Sequence, residues 1–341
     1  MATIYEVAAR AGVSAATVSR VFNGMNVSAE KSRLVRKAAD ELDFTPNRTA
    51  RTLRKRNSEV LALVIPDIEN PFFTSLARGV EDVAHEAGYS VVLCNSDGDR
   101  DKEAKYLDIA ISEDMGGVII AAADEHSDIG SLLKRGRPVV AVDRSPHGAD
   151  IDAVTVDNRA GGRAATQALF EQGYSRVACI TGPADVETAI QRADGWRIAL
   201  AEAGADFDPG DYLIHADFRV DGGRDAMRSL LDGKNPPDSV FVANNLMSVG
   251  ALQVLIERRQ MPPAVGMASF GDLPFAALAP AGITVVHLPS RHLGVTAATM
   301  LLERIKGDKQ PARTVVLRNT LSAPGASASP DDASGGLTFA S

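Results

Sequence analysis

The stretch from Ser14 to Arg20, Ser-Ala-Ala-Thr-Val-Ser-Arg, places small side chains, three hydroxyls and one guanidinium on a single short helix. Ser14 can cap that helix, and Ala15 and Ala16 let its backbone approach a flat edge closely. In the major groove of a duplex, alanine methyls touch thymine methyls and an arginine bonds guanine O6 and N7 in bidentate fashion, a task that fits Arg20. The hydroxyls of Ser14, Thr17 and Ser19 suit phosphates, which position a protein without reading sequence. The plainer alternative is a good helix start followed by a solvated arginine. Charge favours the first reading. Residues 1 to 60 hold eleven Lys and Arg against six Asp and Glu, a net of +5, while the other 281 residues carry a net of −13.

A second constellation is Asn70-Pro71-Phe72-Phe73. Asn70 can cap a helix and Pro71 suits its first position, so two phenyl rings arrive at a strand end, where doubly wound folds hold ligands. An aromatic face suits a sugar ring, although one of the two serves equally well as core. Asp97, Asp99 and Asp101 have the spacing of a calcium loop, but Lys102 stands where Gly is required and Asp108 where Glu is, so a turn capping the next helix is the better reading. His85 and His126 have no partners in the pattern. Cys94 and Cys179 sit in separate apolar runs without a C-x-x-C, which argues against a disulfide framework or zinc finger and for two small core residues. No G-x-G-x-x-G, Walker lysine loop, G-x-S-x-G or H-E-x-x-H occurs, so the sequence supports no catalytic residue, cofactor or metal.

The elements that must position these residues fall into two kinds. Ile4, Val7, Ala8 and Ala11 recur at helical spacing, Gly12-Val13-Ser14 interrupts, and Val18, Val21 and Phe22 form a second stripe: helix, tight turn, helix. Leu34, Val35, Ala38 and Leu42 make a third stripe, with Ser28 as its cap. From Arg48 to Asn57 the chain is polar and basic, with only Ala50 and Leu53 apolar, and cannot hold a helix by core burial. From about Glu59, eleven short apolar runs alternate with amphipathic helices, which predicts parallel sheets covered on both faces. Eleven strands exceed one ordinary sheet, so two doubly wound α/β lobes are expected behind a small all-α domain. The stretch 322–341, rich in Ala, Ser, Gly, Pro and Asp, reads as disordered. No run of 18 apolar residues occurs and the opening residues lack a basic segment followed by an apolar one, so the expectation is a cytoplasmic protein with no membrane span.

These motifs together resemble the lactose/galactose repressor family. The likeness rests on Ile4-Tyr5-Glu6-Val7-Ala8-Ala9-Arg10-Ala11-Gly12-Val13-Ser14, Thr17-Val18-Ser19-Arg20-Val21 and Asn23, on Pro46-Asn47 and Ala50-Arg51-Thr52-Leu53-Arg54, and on Ile65-Pro66-Asp67-Ile68-Glu69-Asn70-Pro71-Phe72-Phe73. The resemblance implies an effector-responsive homodimer on pseudo-palindromic operator DNA, and a core like periplasmic sugar-binding proteins with the ligand between lobes. It implies a helix-turn-helix domain over 1–46, a hinge over 47–58 and a core over 59–321, with one lobe from 59–157 and 288–317 and the other from 158–287 and 318–321. In the hinge, with Asn47 and Ala50, Leu53 matches a leucine that wedges into a minor-groove step; the alternative is a flexible linker with one stray leucine. Asp143 matches a family carboxylate at a strand end near the pocket, Arg192 and Asn244 match residues that bind the effector, and Gly271-Asp272 falls where the family has Asp-Asp. With Gly271 an acceptor for ligand hydroxyls is lost while Arg192 remains, which shifts the expected effector from a neutral sugar toward a sugar acid, a phosphosugar or another anion. Asp272 or Asp143 supplying the acceptor is the rival. The chain has no C-terminal leucine heptads, so a dimer is expected rather than a tetramer. The competing readings are a sugar-binding protein for transport, which predicts no basic N-terminal module, and a sugar-metabolising enzyme on a related fold, which predicts paired catalytic groups.

Overall fold

The computed structural model describes residues 2–22, 25–44, 58–146, 148–273 and 282–324. Contacts divide the chain into two units, 1–58 and 59–341. In the first, α1 (Ile4–Ala11), α2 (Ala15–Phe22) and α3 (Ala29–Glu41) close round Val7, Val18 and Val35, each wholly buried. Thr3 and Glu6 form a reciprocal capping box at the start of α1. Gly12, at φ 65°, ends α1 in the left-handed conformation that favours glycine. Two expectations for α3 fail: Ser28 makes no side-chain cap bond, and Leu34 is exposed while Ala39 is buried. Val35, Ala38, Ala39 and Leu42 stand at i, i+3, i+4 and i+7, which carries the buried stripe through Ala39 and turns Leu34 outward.

The second unit has two six-stranded sheets. The first lobe orders β11 (Thr314–Leu317), β5 (Asp152–Val156), β4 (Val139–Val142), β3 (Gly117–Ile120), β1 (Val60–Ile65) and β2 (Ser90–Asn95), all parallel. Alternation along β1 feeds both faces. Leu61, Leu63 and Ile65 pack toward α4 (Pro71–Glu86) and α11 (Ser290–Ile305), whereas Ala62 and Val64 pack toward α5 (Arg100–Ser112) and α6 (Gly130–Lys134). The second lobe orders β12 (Thr320–Ser322), β10 (Ile283–His287), β9 (Gly266–Phe270), β8 (Ser239–Val242), β6 (Val177–Thr181) and β7 (Leu213–His215), parallel except for β12. Its helices are α7 (Asn158–Glu171), α8 (Glu187–Ala203), α9 (Val220–Leu231) and α10 (Asn245–Glu257). The two-lobed, doubly wound α/β core expected from the sequence is therefore present. The eleven expected strands all form, and β12, α6 and a 3₁₀ turn at Pro209–Tyr212 add to them. Ser322, assigned to a disordered tail, ends β12 instead; its register with Val285 supplies the pairing that composition does not reveal. Residues 325–341 lie outside the described residues. Cys94 and Cys179 are buried free thiols, as expected, and burial pushes the Cys179 thiol well up.

Three helix pairs cross on glycines. A Cβ at Gly79 of α4 would stand 2.1 Å from the Arg291 carbonyl oxygen, and one at Gly294 of α11 would stand 2.0 Å from that of Leu76. Gly162 with Gly195 and Gly223 with Gly250 do the same for α7·α8 and α9·α10. Backbone thus touches backbone, and the strand ends above each pair are held closely.

The lobes are joined where β5 leads to α7, β10 to α11 and β11 to β12. One ion pair braces the base of the first lobe: Arg304 donates from Nε and Nη2 to the two carboxylate oxygens of buried Asp152, both at 2.7 Å, and the Arg313 N–H adds a bond of 3.0 Å. Burial works to raise the Asp152 pKa, but the Arg304 and Arg313 bonds overcome it and leave it below the ordinary 3.8. Asp152→Ala is expected to cost about 3 kcal/mol in urea denaturation at neutral pH, because it strands a partly buried guanidinium. The contribution is complete above the ordinary carboxylate value and is lost as pH falls through the lowered one, so the gap between wild type and variant should narrow below about pH 4. An unchanged midpoint at neutral pH would show the pair to be idle.

Candidate functional site

In the first unit, Ser14 accepts the Thr17 N–H at 3.2 Å and its hydroxyl lies 3.0 Å from that of Thr17, so the expected cap of α2 is present. Val18 and Val21 face the core. Ser14, Ala16 and Arg20 are exposed, and Ala15, Thr17 and Ser19 half-buried. Ala16 and Arg20, four apart, share a helical face with the start of α2. Asn23, Asn47, Ala50 and Leu53 lie outside the described residues.

In the second unit, a cavity of about 310 Å³ opens between the lobes and is lined by residues just beyond the C-terminal strand ends. Asn70 accepts the Phe72 N–H at 2.9 Å, which caps α4, and the same oxygen accepts Asn245 Nδ2 from the other lobe at 3.1 Å. Phe72 and Phe73 meet edge to face with centroids 5.0 Å apart; Phe73 is buried in the first lobe's core and Phe72 half-buried, and both reach the cavity. Asp143 follows β4 at φ 67°, a left-handed conformation held by its own N–H on Val154 and by the bridge between Val142 and Arg144. A non-glycine residue fixed there stores backbone strain.

Arg192 is buried on α8. It donates Nε to Asn158 Oδ1 at 2.8 Å and Nη1 to the Ala243 carbonyl at 2.9 Å, its Nη2 stands 3.9 Å from Asp143 across the cleft, and its guanidinium lies 4.2 Å over the Phe270 ring. Burial lowers its pKa to about 10, with Asp143 opposing and Arg144 assisting, so it stays charged at neutral pH. Asn244 caps α10 by accepting the Met247 N–H at 3.0 Å. The structure thus brings Asn70, Phe72, Phe73, Asp143, Arg192 and Asn244 to one cavity.

Gly271 and Asp272 are not among its lining residues, contrary to expectation. A Cβ at Gly271 would stand 3.3 Å from Asn245 Cβ and 3.6 Å from Leu288 Cδ1, against packed wall. Asp272 bonds His287 Nδ1, raising the His287 pKa, and His287 Nε2 lies 2.7 Å from the Ser322 hydroxyl. The charges round the cavity bear on the expected anionic ligand. Asp67, Asp97, Asp124, Asp143, Asp185 and Asp217 line the cavity against Arg144, Arg192 and Arg219, so an anion meets an excess of like charge.

Sequence reasoning missed Arg144 and Phe218. Arg144 is buried with Nε on the Ala122 carbonyl, and burial lowers its pKa despite Asp143, Glu103 and Asp124. Its place directly after Asp143 was the available signal. Phe218 has φ 64° and its ring fills the space where a Gly182 side chain would be, 2.1 Å from that Cβ. The aspartate triplet resolves as the expected cap: Asp99 accepts the Lys102 N–H at 2.9 Å. Among the described residues no group of three or more potential ligands is placed to hold a metal ion, and no helix is long and apolar enough to cross a membrane.

Two family models match the chain. "Bacterial regulatory proteins, lacI family" covers residues 3–47, and "Periplasmic binding proteins and sugar binding domain of LacI family" covers 58–323. The ribose operon repressor of Escherichia coli (strain K12) is 35% identical over 309 residues, 89% of this chain and 93% of that protein. The HTH-type transcriptional repressor PurR of Aliivibrio salmonicida is 30% identical over 319 residues, covering 92% and 95%. Among solved structures, a complex of the transcriptional regulator CelR with cellobiose shares 32% identity at a TM-score of 0.72, covering 95% of this chain and 99% of that one. The lac repressor dimer bound to operator and an anti-inducer shares the fold, with a TM-score of 0.83, 23% identity and coverage of 94% and 97%. With its helix-turn-helix unit, its two-lobed core and these relatives, the chain belongs to the lacI family of bacterial regulatory proteins and is an effector-responsive, DNA-binding transcriptional regulator.

Proposed function

We propose that the chain is a cytoplasmic repressor of carbohydrate genes, that it carries out no catalysis, that it binds a pseudo-palindromic operator as a homodimer through Ser14 to Arg20, and that a neutral monosaccharide in the interlobe cavity switches it. The observation that carries this reading is the set of polar pairs across the cleft: Asp143 with Arg192, Asn70 with Asn245, and Asp67 with Arg219 at 3.8 Å. A ligand hydroxyl inserted among them bonds both lobes at once, and only a ligand with such differential contacts moves an equilibrium between lobe arrangements. Aspartates and arginines already paired across the cleft suit hydroxyls better than a further negative charge. The cavity lies at the small end of the ~300–1,000 Å³ of ligand pockets, which favours one sugar ring over two.

The test is selection of DNA sites by the full chain, followed by titration with neutral monosaccharides. The selected sites should show two-fold related half-sites, and affinity should fall steeply with salt, by a log–log slope of about −0.9 per phosphate contacted. One sugar or more should change that affinity at least about tenfold, in keeping with ordinary coupling energies. Salt-insensitive binding, or half-sites without symmetry, would count against the reading.

A further inference from the structure

Polar groups are unevenly distributed round the cavity. The ends of β1 to β4 and of β6 to β8 supply carboxylates, guanidinium groups and carboxamides, whereas, among the described residues, the ends of β9 and β10 supply Phe270 and Leu288. The local structure keeps this corner apolar. The residue after Phe270 is Gly271, at φ 97° and against the Asn245 and Leu288 side chains, so no side chain reaches the cavity from there. The buried Ser269 hydroxyl is spent on the Gly271 carbonyl at 2.9 Å. Asp272 and His287, the nearest polar side chains in sequence, are bonded to each other and, through His287, to Ser322, and neither lines the cavity. Leu288 packs against the cores of both lobes, with Phe72 against one and Phe270 within the other. Arg192 lies over Phe270 and holds that ring in place.

A hydroxyl turned onto the Phe270 and Leu288 side chains leaves water and gains no bond from either, a loss of about ten- to a hundredfold in affinity. A methyl placed there gains by burial instead. We propose that the effector is a 6-deoxyhexose whose terminal methyl rests on Phe270 and Leu288 while its ring hydroxyls are met by Asp143, Arg192 and the carboxamides opposite. The inference rests on the sugar-effector reading above and narrows it: the sugar has a polar side facing Asp143 and Arg192 and a carbon end without oxygen facing β9 and β10.

Calorimetry on the full chain with three matched pairs decides the matter: L-rhamnose with L-mannose, L-fucose with L-galactose, and D-fucose with D-galactose, with D-ribose as a sugar of another class. Within each pair only the terminal CH₂OH and CH₃ differ. At least one deoxy member should bind, about tenfold or more tightly than its hydroxylated partner. Leu288→Gln, checked for folding by its thermal transition, should bring that ratio close to one by offering the missing partner. The wild-type ratios are decisive even where the variant does not fold. Equal or tighter binding by the hydroxylated members, or binding of D-ribose alone, overturns the 6-deoxyhexose and leaves the sugar-effector reading standing. Absence of binding by all seven sugars removes both.

Discussion

Arg192→Ala is expected to lower affinity for the effector by about a hundredfold or more, since charge-assisted bonds to a buried ligand are each worth ~1.5–3 kcal/mol and the substitution removes several at once. Two of the guanidinium's donors go to Asn158 and Ala243, so the group is fixed before any ligand arrives, with its remaining edge toward Asp143 and the cavity. Its loss also leaves Asp143 buried without its partner across the cleft, and stability should fall by about 3 kcal/mol in the same preparation. Arg192→Lys separates the two effects. A lysine keeps the charge but cannot bond Asn158 and Ala243 together with a planar fork, so stability should recover in part while affinity stays at least about tenfold down. Calorimetry with whichever sugar binds the wild type, paired with denaturation curves, reads both quantities. Full affinity in Arg192→Ala would remove Arg192 from the site.

Legibility in the sequence followed the range of the interactions. Asn70-Pro71 was readable because a cap and a first-turn proline act within three residues, and the bond of Asn70 Oδ1 to the Phe72 N–H is that local chemistry realised. The eleven strands were readable because a sheet covered on both faces demands continuous apolar runs. Thr320-Leu321-Ser322 has no such run: it joins the sheet at an edge, through pairing with residues 285–287 that no local pattern encodes. Asp143, Arg192 and Asn244 came from the family resemblance, and the cavity gathers all three. Gly271 and Asp272 came from the same source and are not among the residues that line the cavity: Gly271 has no side chain to offer, and the Asp272 carboxylate bonds His287. Arg144 was hidden for another reason. An arginine in sequence reads as a surface charge, and only the fold shows that its side chain is buried beside Asp143, Glu103 and Asp124.

Arg20→Ala is expected to weaken operator binding by about 1–3 kcal/mol at each half-site, and both half-sites of the proposed homodimer carry the loss, so the combined effect is about 2–6 kcal/mol, at least roughly thirtyfold. The argument starts from the helix. Val18 and Val21 commit one side of α2 to the core, which leaves Ala16 and exposed Arg20 on the other, and the cap at Ser14 holds the first turn so that its small residues lead. A guanidinium on such a face bonds guanine O6 and N7 with two parallel N–H groups, a geometry that discriminates among base pairs. The loss should therefore be confined to operators with the guanine and be accompanied by relaxed preference at one base pair per half-site, with nonspecific affinity and its salt slope little changed. Arg20→Lys should behave nearly as the alanine variant does, since a point charge keeps phosphate attraction but not the bidentate pair. Site selection repeated with both variants gives the measurement. A loss equal across all sequences, with the salt slope smaller by about one, assigns Arg20 to a phosphate and moves base reading to other residues of α2.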